Sequence, residues 1–256
     1  MPNIAIPAVT RIGSGPPVVL VHGTCPAWWG ELPAWLAAST EVLTYDRRGF
    51  GTSRGLTADG FSAHACDLAA VIGDEPAVVV GWSMGGVVAL EAACAHPERF
   101  RGLVLIEPPL HAKRSPDVAM ASSVLGAMVM GRLGRAEAGA RWFLRWAFTR
   151  TDGEPNDLER LPVDALSRLR EGDNAAIVGE IEHGTGEHLE LDALRALDLP
   201  VTVLHGTASR PAFAAAARRI AGAVPSALLE TVEGSGHVMQ LDAPDRLVAA
   251  VRAVVD

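Results

Sequence analysis

Cysteine is scarce in this chain: Cys25, Cys66 and Cys94 lie far apart, with no CxxC pair. An odd, scattered set argues against a disulfide scaffold or a zinc–thiolate site, and no oxidising compartment is required. Positive charge is also short. The formal net charge is −8 and the pI near 5.5, which excludes a basic nucleic-acid footprint. Lys113 is the only lysine, so nearly all basic residues are arginine. Long apolar runs are missing too. Runs such as Ala77 to Val80 are far too short to span a bilayer, and no membrane partner is expected. The opening MPNIAIPAVTRIGSG lacks a basic stretch followed by an apolar one. No signal peptide is therefore expected, and the cytoplasm is the default location.

What is present is apolar punctuation. Of 256 residues, 49% are apolar, enough for the core of one large domain. Short apolar runs alternate with helix-like stretches, the pattern of an α/β fold with a mostly parallel sheet and helices on both faces. Val18 to Val21, Val42 to Tyr45, Ala77 to Val80, Gly102 to Ile106 and Val201 to His205 read as strands, with a weaker one near Ala227 to Thr231. Phe61 to Ile72 has helical spacing, with Phe61, Ala65, Leu68, Ala69 and Ile72 on one face. Met84 to His96 reads as a helix stopped by Pro97. Further helices are expected from about Pro211 to Ala221 and Ala243 to Val255. Leu110 to about Leu199 breaks the rhythm and is far longer than one crossover needs. The expected organisation is a core over 1–109, an inserted helical cap over 110–188, and a second core segment over 189–256.

Gly81-Trp82-Ser83-Met84-Gly85 is a G-x-S-x-G sequence between a strand and a helix. A sharp turn there raises the serine hydroxyl above the sheet edge, and glycines relieve crowding where backbone passes backbone. The helix start favours developing negative charge. Ser83 is therefore the candidate nucleophile. Upstream lie His22-Gly23 and the loop DRRGFGTS, Asp46 to Ser53; downstream lies the turn Gly234-Ser235-Gly236-His237.

With these four signals in this order, the chain resembles the α/β-hydrolase superfamily over nearly its whole length. The resemblance implies a serine hydrolase with His237 as general base, and an oxyanion hole formed by the backbone N–H groups of Met84 and Thr24. Cys25 is the nearest alternative donor. His22 then has a structural role in the oxyanion turn, and His205 at a strand end is a second histidine to locate. Many members place the triad acid after the strand read here as Val201 to His205. In this chain that turn is Gly206-Thr207-Ala208-Ser209-Arg210, with no carboxylate and Ser209 about where the acid belongs. Asp192 and Asp198 precede the strand, at the wrong end of the sheet. Glu107, just after Gly102 to Ile106, stands at the same carboxyl edge as Ser83. This placement resembles certain haloalkane dehalogenases and the zearalenone lactonases. The expected triad is Ser83–His237–Glu107. A strand-end salt bridge of Glu107 with Arg47, Arg48 or Arg210, or a bare Ser–His dyad, stays open.

A serine nucleophile favours an acyl-enzyme route without metal or cofactor, and disfavours the branches that need an aspartate. A carboxylic ester or lactone of an apolar small molecule is the first expectation. Carbon–carbon bond hydrolysis, cofactor-free haloperoxidase-like chemistry, and a non-catalytic receptor on the same fold are the alternatives. Cys25, Trp28, Trp29, Trp82, Trp142 and Trp146 are the candidate pocket residues, since aromatic walls bury acyl or ring surface well.

Overall fold

A computed structural model describes residues 6–24, 28–57, 60–112, 118–163, 165–166 and 173–255 of the chain. Its strands are β1 (Val9–Gly13), β2 (Pro17–Val21), β3 (Glu41–Tyr45), β4 (Ala77–Trp82), β5 (Phe100–Ile106), β6 (Val201–Gly206) and β7 (Ala227–Val232). They form one sheet in the order β1-β3-β2-β4-β5-β6-β7. β1 runs antiparallel to β3, and all other neighbours are parallel. The central strands read as continuous apolar runs because both faces are covered: every residue of β2, β4 and β6 is buried. β1 was not expected from the sequence. VTRIG is an edge strand whose last four residues are exposed, so it carries no apolar run to announce it.

Alternation along the strands splits the core in two. Val18, Leu20, Val78, Val80, Val104 and Ile106 face one layer; Val19, Val21, Val79, Leu103 and Leu105 face the other. The first layer holds α1 (Leu32–Leu36) and the C-terminal α11 (Pro244–Val255). The second holds α2 (Phe61–Ile72) and α3 (Met84–Ala95). This is a mostly parallel sheet flanked by helices, an α/β-hydrolase fold with helical insertions.

Between β5 and β6 the described helices are α4 (Val118–Arg132), α5 (Ala136–Ala147), α6 (Asp157–Arg160), α7 (Asn174–His183) and α8 (Leu191–Arg195). No strand occurs in this stretch among the described residues. α4 and α5 pack closely enough that a Cβ on Gly139 would lie 2.7 Å from the Ala127 carbonyl oxygen. Met120, Leu144, Trp146, Ile177 and Ile181 from these helices join the apolar cluster that includes Val80 and Ile106. α9 (Pro211–Ala223) and α10 (Met239–Asp242) complete the helices after β6. Among the described residues no helix is long and apolar enough to cross a membrane.

The topology sets the site. β2 and β4 are neighbours, but β3 lies beyond one and β5 beyond the other. Connections therefore leave in opposite directions, opening a crevice at the carboxyl ends of β2 and β4. The register Trp82↔Ile106 sets Ser83 beside Glu107, and Ile106↔Leu204 sets Glu107 beside the end of β6.

Candidate active site

Ser83 follows β4 directly and precedes α3. Its backbone is held at φ 53° and ψ −125°, a region costing roughly 1–3 kcal/mol for a non-glycine residue. Two backbone bonds hold the turn: Ser83 N–H donates to the Ile106 carbonyl (2.8 Å) and Gly86 N–H to the Ser83 carbonyl (2.9 Å). The neighbouring glycines are steric necessities. A Cβ on Gly85 would fall 2.1 Å from the Val21 carbonyl oxygen, and one on Gly23 would fall 2.8 Å from Ser83 Cβ. The turn after β2 is thereby pressed against the serine.

His237 and Glu107 are joined. His237 Nδ1 lies 2.6 Å from Glu107 Oε2, and Gly206 N–H donates to Oε1 at 2.8 Å. Glu107 is fully buried, and its own N–H donates to the Leu204 carbonyl (2.9 Å). With Nδ1–H donating to the carboxylate, Nε2 is left as the acceptor nitrogen of the ring. Arg47 and Arg48 do not form the ion pair with Glu107 that was held open: Arg47 pairs with Glu180 and Arg48 with Asp67. Ser209, where the resemblance would place an acid, has a buried hydroxyl without a hydrogen-bond partner among the described residues. His205 Nε2 lies 3.1 Å from the Thr231 hydroxyl. Asp192 is exposed and pairs with Arg195.

The imidazole is also caged by residues that sequence reasoning did not single out. Phe213, in the first turn of α9, stacks on His237 with centroids 4.1 Å apart and planes 15° off parallel. Phe148 meets it edge-on at 5.5 Å, and Trp82 Nε1–H donates to the His237 carbonyl (2.9 Å). The loop is braced from outside. Arg150 donates to the Gly234 carbonyl (2.7 Å) and pairs with Asp157 and Asp242. Gly236 N–H donates to Asp242 (2.7 Å). Burial alone would push the Asp242 carboxyl up. Hydrogen bonds from Arg160, the Gly236 N–H and Arg150 outweigh it, and the group sits below the ordinary carboxylate range. No sequence period links Arg150, Asp157 and Asp242, which meet only in the fold.

The turn after β2 is organised by its first histidine. Arg47 N–H donates to His22 Nε2 (2.8 Å), so Nδ1 carries the proton and donates to the Gly23 carbonyl (2.8 Å). Burial and the adjacent Arg47 charge lower the His22 pKa to about 4, so the ring is neutral near pH 7.

Ser83, His237, Thr24, Met84, Trp82 and Trp146 line one small chamber of about 40 Å³. Thr24, Met84, Ala112, Phe143 and Thr185 also border a larger apolar cavity of about 530 Å³ under α4 and α7. Met120, Val124, Met128 and Ile181 supply much of its wall. Three expected pocket residues lie elsewhere. Trp28 and Trp29 border a separate cleft with Tyr45 and Asp46, and Trp29 packs edge-on against Trp82 at 6.2 Å. Trp142 is 47% exposed on the outer face of α5, over the space that Gly126 leaves on α4. Its i,i+4 spacing from Trp146 forms a ridge that the helix turns partly outward. Cys25 lies outside the described residues. The wall residues missed were methionines and aliphatics of α4 and α7, indistinguishable in sequence from helix-packing positions. Among the described residues no group of three or more His, Cys, Asp or Glu side chains is placed to hold a metal ion.

Residues 18–250 match the Alpha/beta hydrolase family. The chain is similar to polyketide synthase ThaQ of Burkholderia thailandensis, 29% identical over 284 residues. That match covers 100% of this chain but only 12% of the synthase. It is also similar to a pimeloyl-(acyl-carrier protein) methyl ester esterase of Aromatoleum aromaticum, 29% identical over 255 residues, covering 94% of this chain and 98% of that enzyme. Among solved structures, an esterase from Rhodococcus sp. ECU1013 aligns with a TM-score of 0.73 and 27% identity, covering 96% of this chain and 93% of that one.

Proposed function

The chain belongs to the Alpha/beta hydrolase family, and on that premise we propose that it is a serine hydrolase cleaving a carboxylic ester or lactone of an apolar substrate. The observation that carries the reading is the 2.6 Å contact between His237 Nδ1 and Glu107 Oε2, in a ring that shares a chamber with Ser83. The similarity to esterases from Aromatoleum aromaticum and Rhodococcus supports it.

In this reading Ser83 Oγ attacks the carbonyl carbon while His237 Nε2 takes the hydroxyl proton. Glu107 keeps the imidazole in the right tautomer and stabilises its charged form. Negative charge arising on the carbonyl oxygen is met by the N–H groups of Met84 and Thr24. The tetrahedral intermediate collapses, the alkoxide leaves with the proton held on His237, and an ester is bound to Ser83. Water then attacks this acyl-enzyme, giving its proton to His237; collapse releases the acid and returns the proton to Ser83. For a lactone, acid and alcohol leave as one hydroxy acid. No cofactor takes part, and no nucleic-acid partner enters.

Residues 110–188 act as the cap over the chamber. The apolar lining of the adjoining cavity selects an apolar acyl or ring group. The acid after β5, as in zearalenone lactonase-like members, favours the lactone version. A thioester of a carrier-bound acyl chain is the second reading, favoured by the alignment of the whole chain with a segment of a polyketide synthase.

The test is labelling with a fluorophosphonate, followed by turnover of aryl esters, lactones and acyl thioesters. Labelling at Ser83, lost in Ser83→Ala, together with turnover of esters or lactones, is the expected result. Absence of both in folded protein would overturn the reading.

A further inference from the structure

Among the described residues Arg47 is the only arginine in the set of largest fully buried side chains, and nothing in the proposed chemistry uses it directly. Its fork is fully engaged. Nε donates to the His22 carbonyl at 2.9 Å, and Nη2 donates to the Gly23 carbonyl at 2.7 Å. The other side meets Glu180 of α7: Nη1 donates to Oε1, and Nη2 to Oε2 at 3.2 Å. Glu180 is itself buried, and it also borders the large cavity beside Thr24. A helix inserted between β5 and β6 therefore reaches, through one ion pair, the two carbonyls of the turn beside Ser83.

The geometry points to a positioning role for this pair in the oxyanion hole. A trans peptide sets its C=O and the following N–H on opposite sides. Holding the Gly23 carbonyl on Arg47 aims the Thr24 N–H the other way. Thr24 lines the chamber that contains Ser83, and in this proposal its N–H points into it. Holding the His22 carbonyl fixes the Gly23 N–H in the same manner. Arg is suited to this because its rigid planar fork serves several acceptors at once; a lysine ammonium cannot reproduce that spacing. Glu180 is the counter-charge that keeps the fork from swinging toward the Ser83 chamber, and a buried guanidinium left without it would reorient. Glu180 and Arg47 are thus positioning residues: they touch no reacting atom and act through the peptide between Gly23 and Thr24.

This inference rests on the serine-hydrolase reading, and its experiment separates the two. Glu180→Gln and Arg47→Lys are prepared with wild type, and thermal melts confirm folding. kcat and KM are measured on an aryl ester. Inhibition constants are measured for a trifluoromethyl ketone, which forms a tetrahedral adduct at Ser83, and for a planar amide isostere of the ester. Loss of a whole oxyanion donor costs about 100- to 1000-fold in kcat. A misaimed donor should cost about 10- to 100-fold in either variant, with KM within about threefold. Affinity for the tetrahedral adduct should fall in proportion to kcat/KM, while affinity for the planar amide stays near wild type. If Arg47→Lys does not fold, Glu180→Gln, which keeps the shape but removes the charge and one of the two acceptor oxygens, decides alone. Rates and adduct affinity within twofold of wild type would overturn the inference, as would equal weakening of the adduct and the amide. Wild type that neither reacts with fluorophosphonate nor turns over ester would instead sink the reading of Ser83.

Discussion

Glu107 accepts two hydrogen bonds with two oxygens, one from His237 and one from Gly206 N–H. Replacing it by glutamine leaves a single acceptor oxygen for two donors. If that oxygen stays with Gly206, the amide NH2 faces Nδ1 and forces the proton onto Nε2, the tautomer that cannot accept from serine. Glu107→Gln should therefore lower kcat about 100- to 10,000-fold with the protein still folded, measured by steady-state kinetics and a thermal melt. A near-wild-type rate would remove Glu107 from the proposed triad. Ser83, Glu107 and His237 were legible because each sits at a strand end or turn with a short local pattern. Phe213 and Glu180 were not, since each matters only for what it meets: a ring 24 residues away in the first case, and an arginine 133 residues away in the second. Trp82 and Trp146 line the chamber as expected, whereas Trp28, Trp29 and Trp142 misled for the same reason. Size marks a residue as important to packing without saying to which cavity it belongs.

α3 can start where it does because Gly85 in its first turn puts no Cβ against β2. A Cβ on Gly85 would meet backbone, the Val21 carbonyl oxygen, with no flexible atom to move aside. Gly85→Ala should cost upwards of about 3 kcal/mol in urea melts. Gly222 near the end of α9 is the control, since a Cβ there meets nothing within 4 Å. Gly222→Ala should stabilise by about 0.5–1 kcal/mol by lowering the entropy of the unfolded chain. Equal effects at the two positions would contradict this account of the elbow. Most elements were readable, and Phe61–Ile72 was bounded as its spacing predicted. β1 was not, because an edge strand needs little apolar content. The arrangement of α4 to α7 was not either, since the same apolar spacing serves helix packing and cavity wall alike.

Across the whole molecule, the groups shifted on the acid side all act in one direction. His22 is lowered to about 4 and His64 to about 3, first by burial and then by the charge of Arg47. Both are neutral in the fold, whereas in the unfolded chain they protonate near pH 6.5. Below that pH the unfolded state binds protons the fold excludes, so stability is full above about 6.5 and falls as the pH drops toward 4 and 3. Glu180 and Asp242 add to the loss lower still. Burial opposes ionisation of both, but Arg47 holds Glu180 down, and Arg160 with Arg150 and the Gly236 N–H holds Asp242 down. Each histidine contributes up to about 1.4 kcal/mol per pH unit. Urea unfolding at pH 7.5 and 5.0 should show the drop, and His64→Leu should shrink it by about 2 kcal/mol. An unchanged pH dependence in that variant would show that His64 is not excluded from protonation.

The register of β4 on β5 has a consequence in time. The proposed nucleophile and its acid come from one β-α-β unit, residues 77–107, whose pairing is local in the chain. The histidine that joins them is 130 residues further on from Glu107. Local units close sooner than distant ones. The strand-turn-helix unit that carries Ser83 is therefore expected to form before His237 reaches it. In the proposed mechanism Ser83 has its base only once the segment carrying His237 has docked against Glu107.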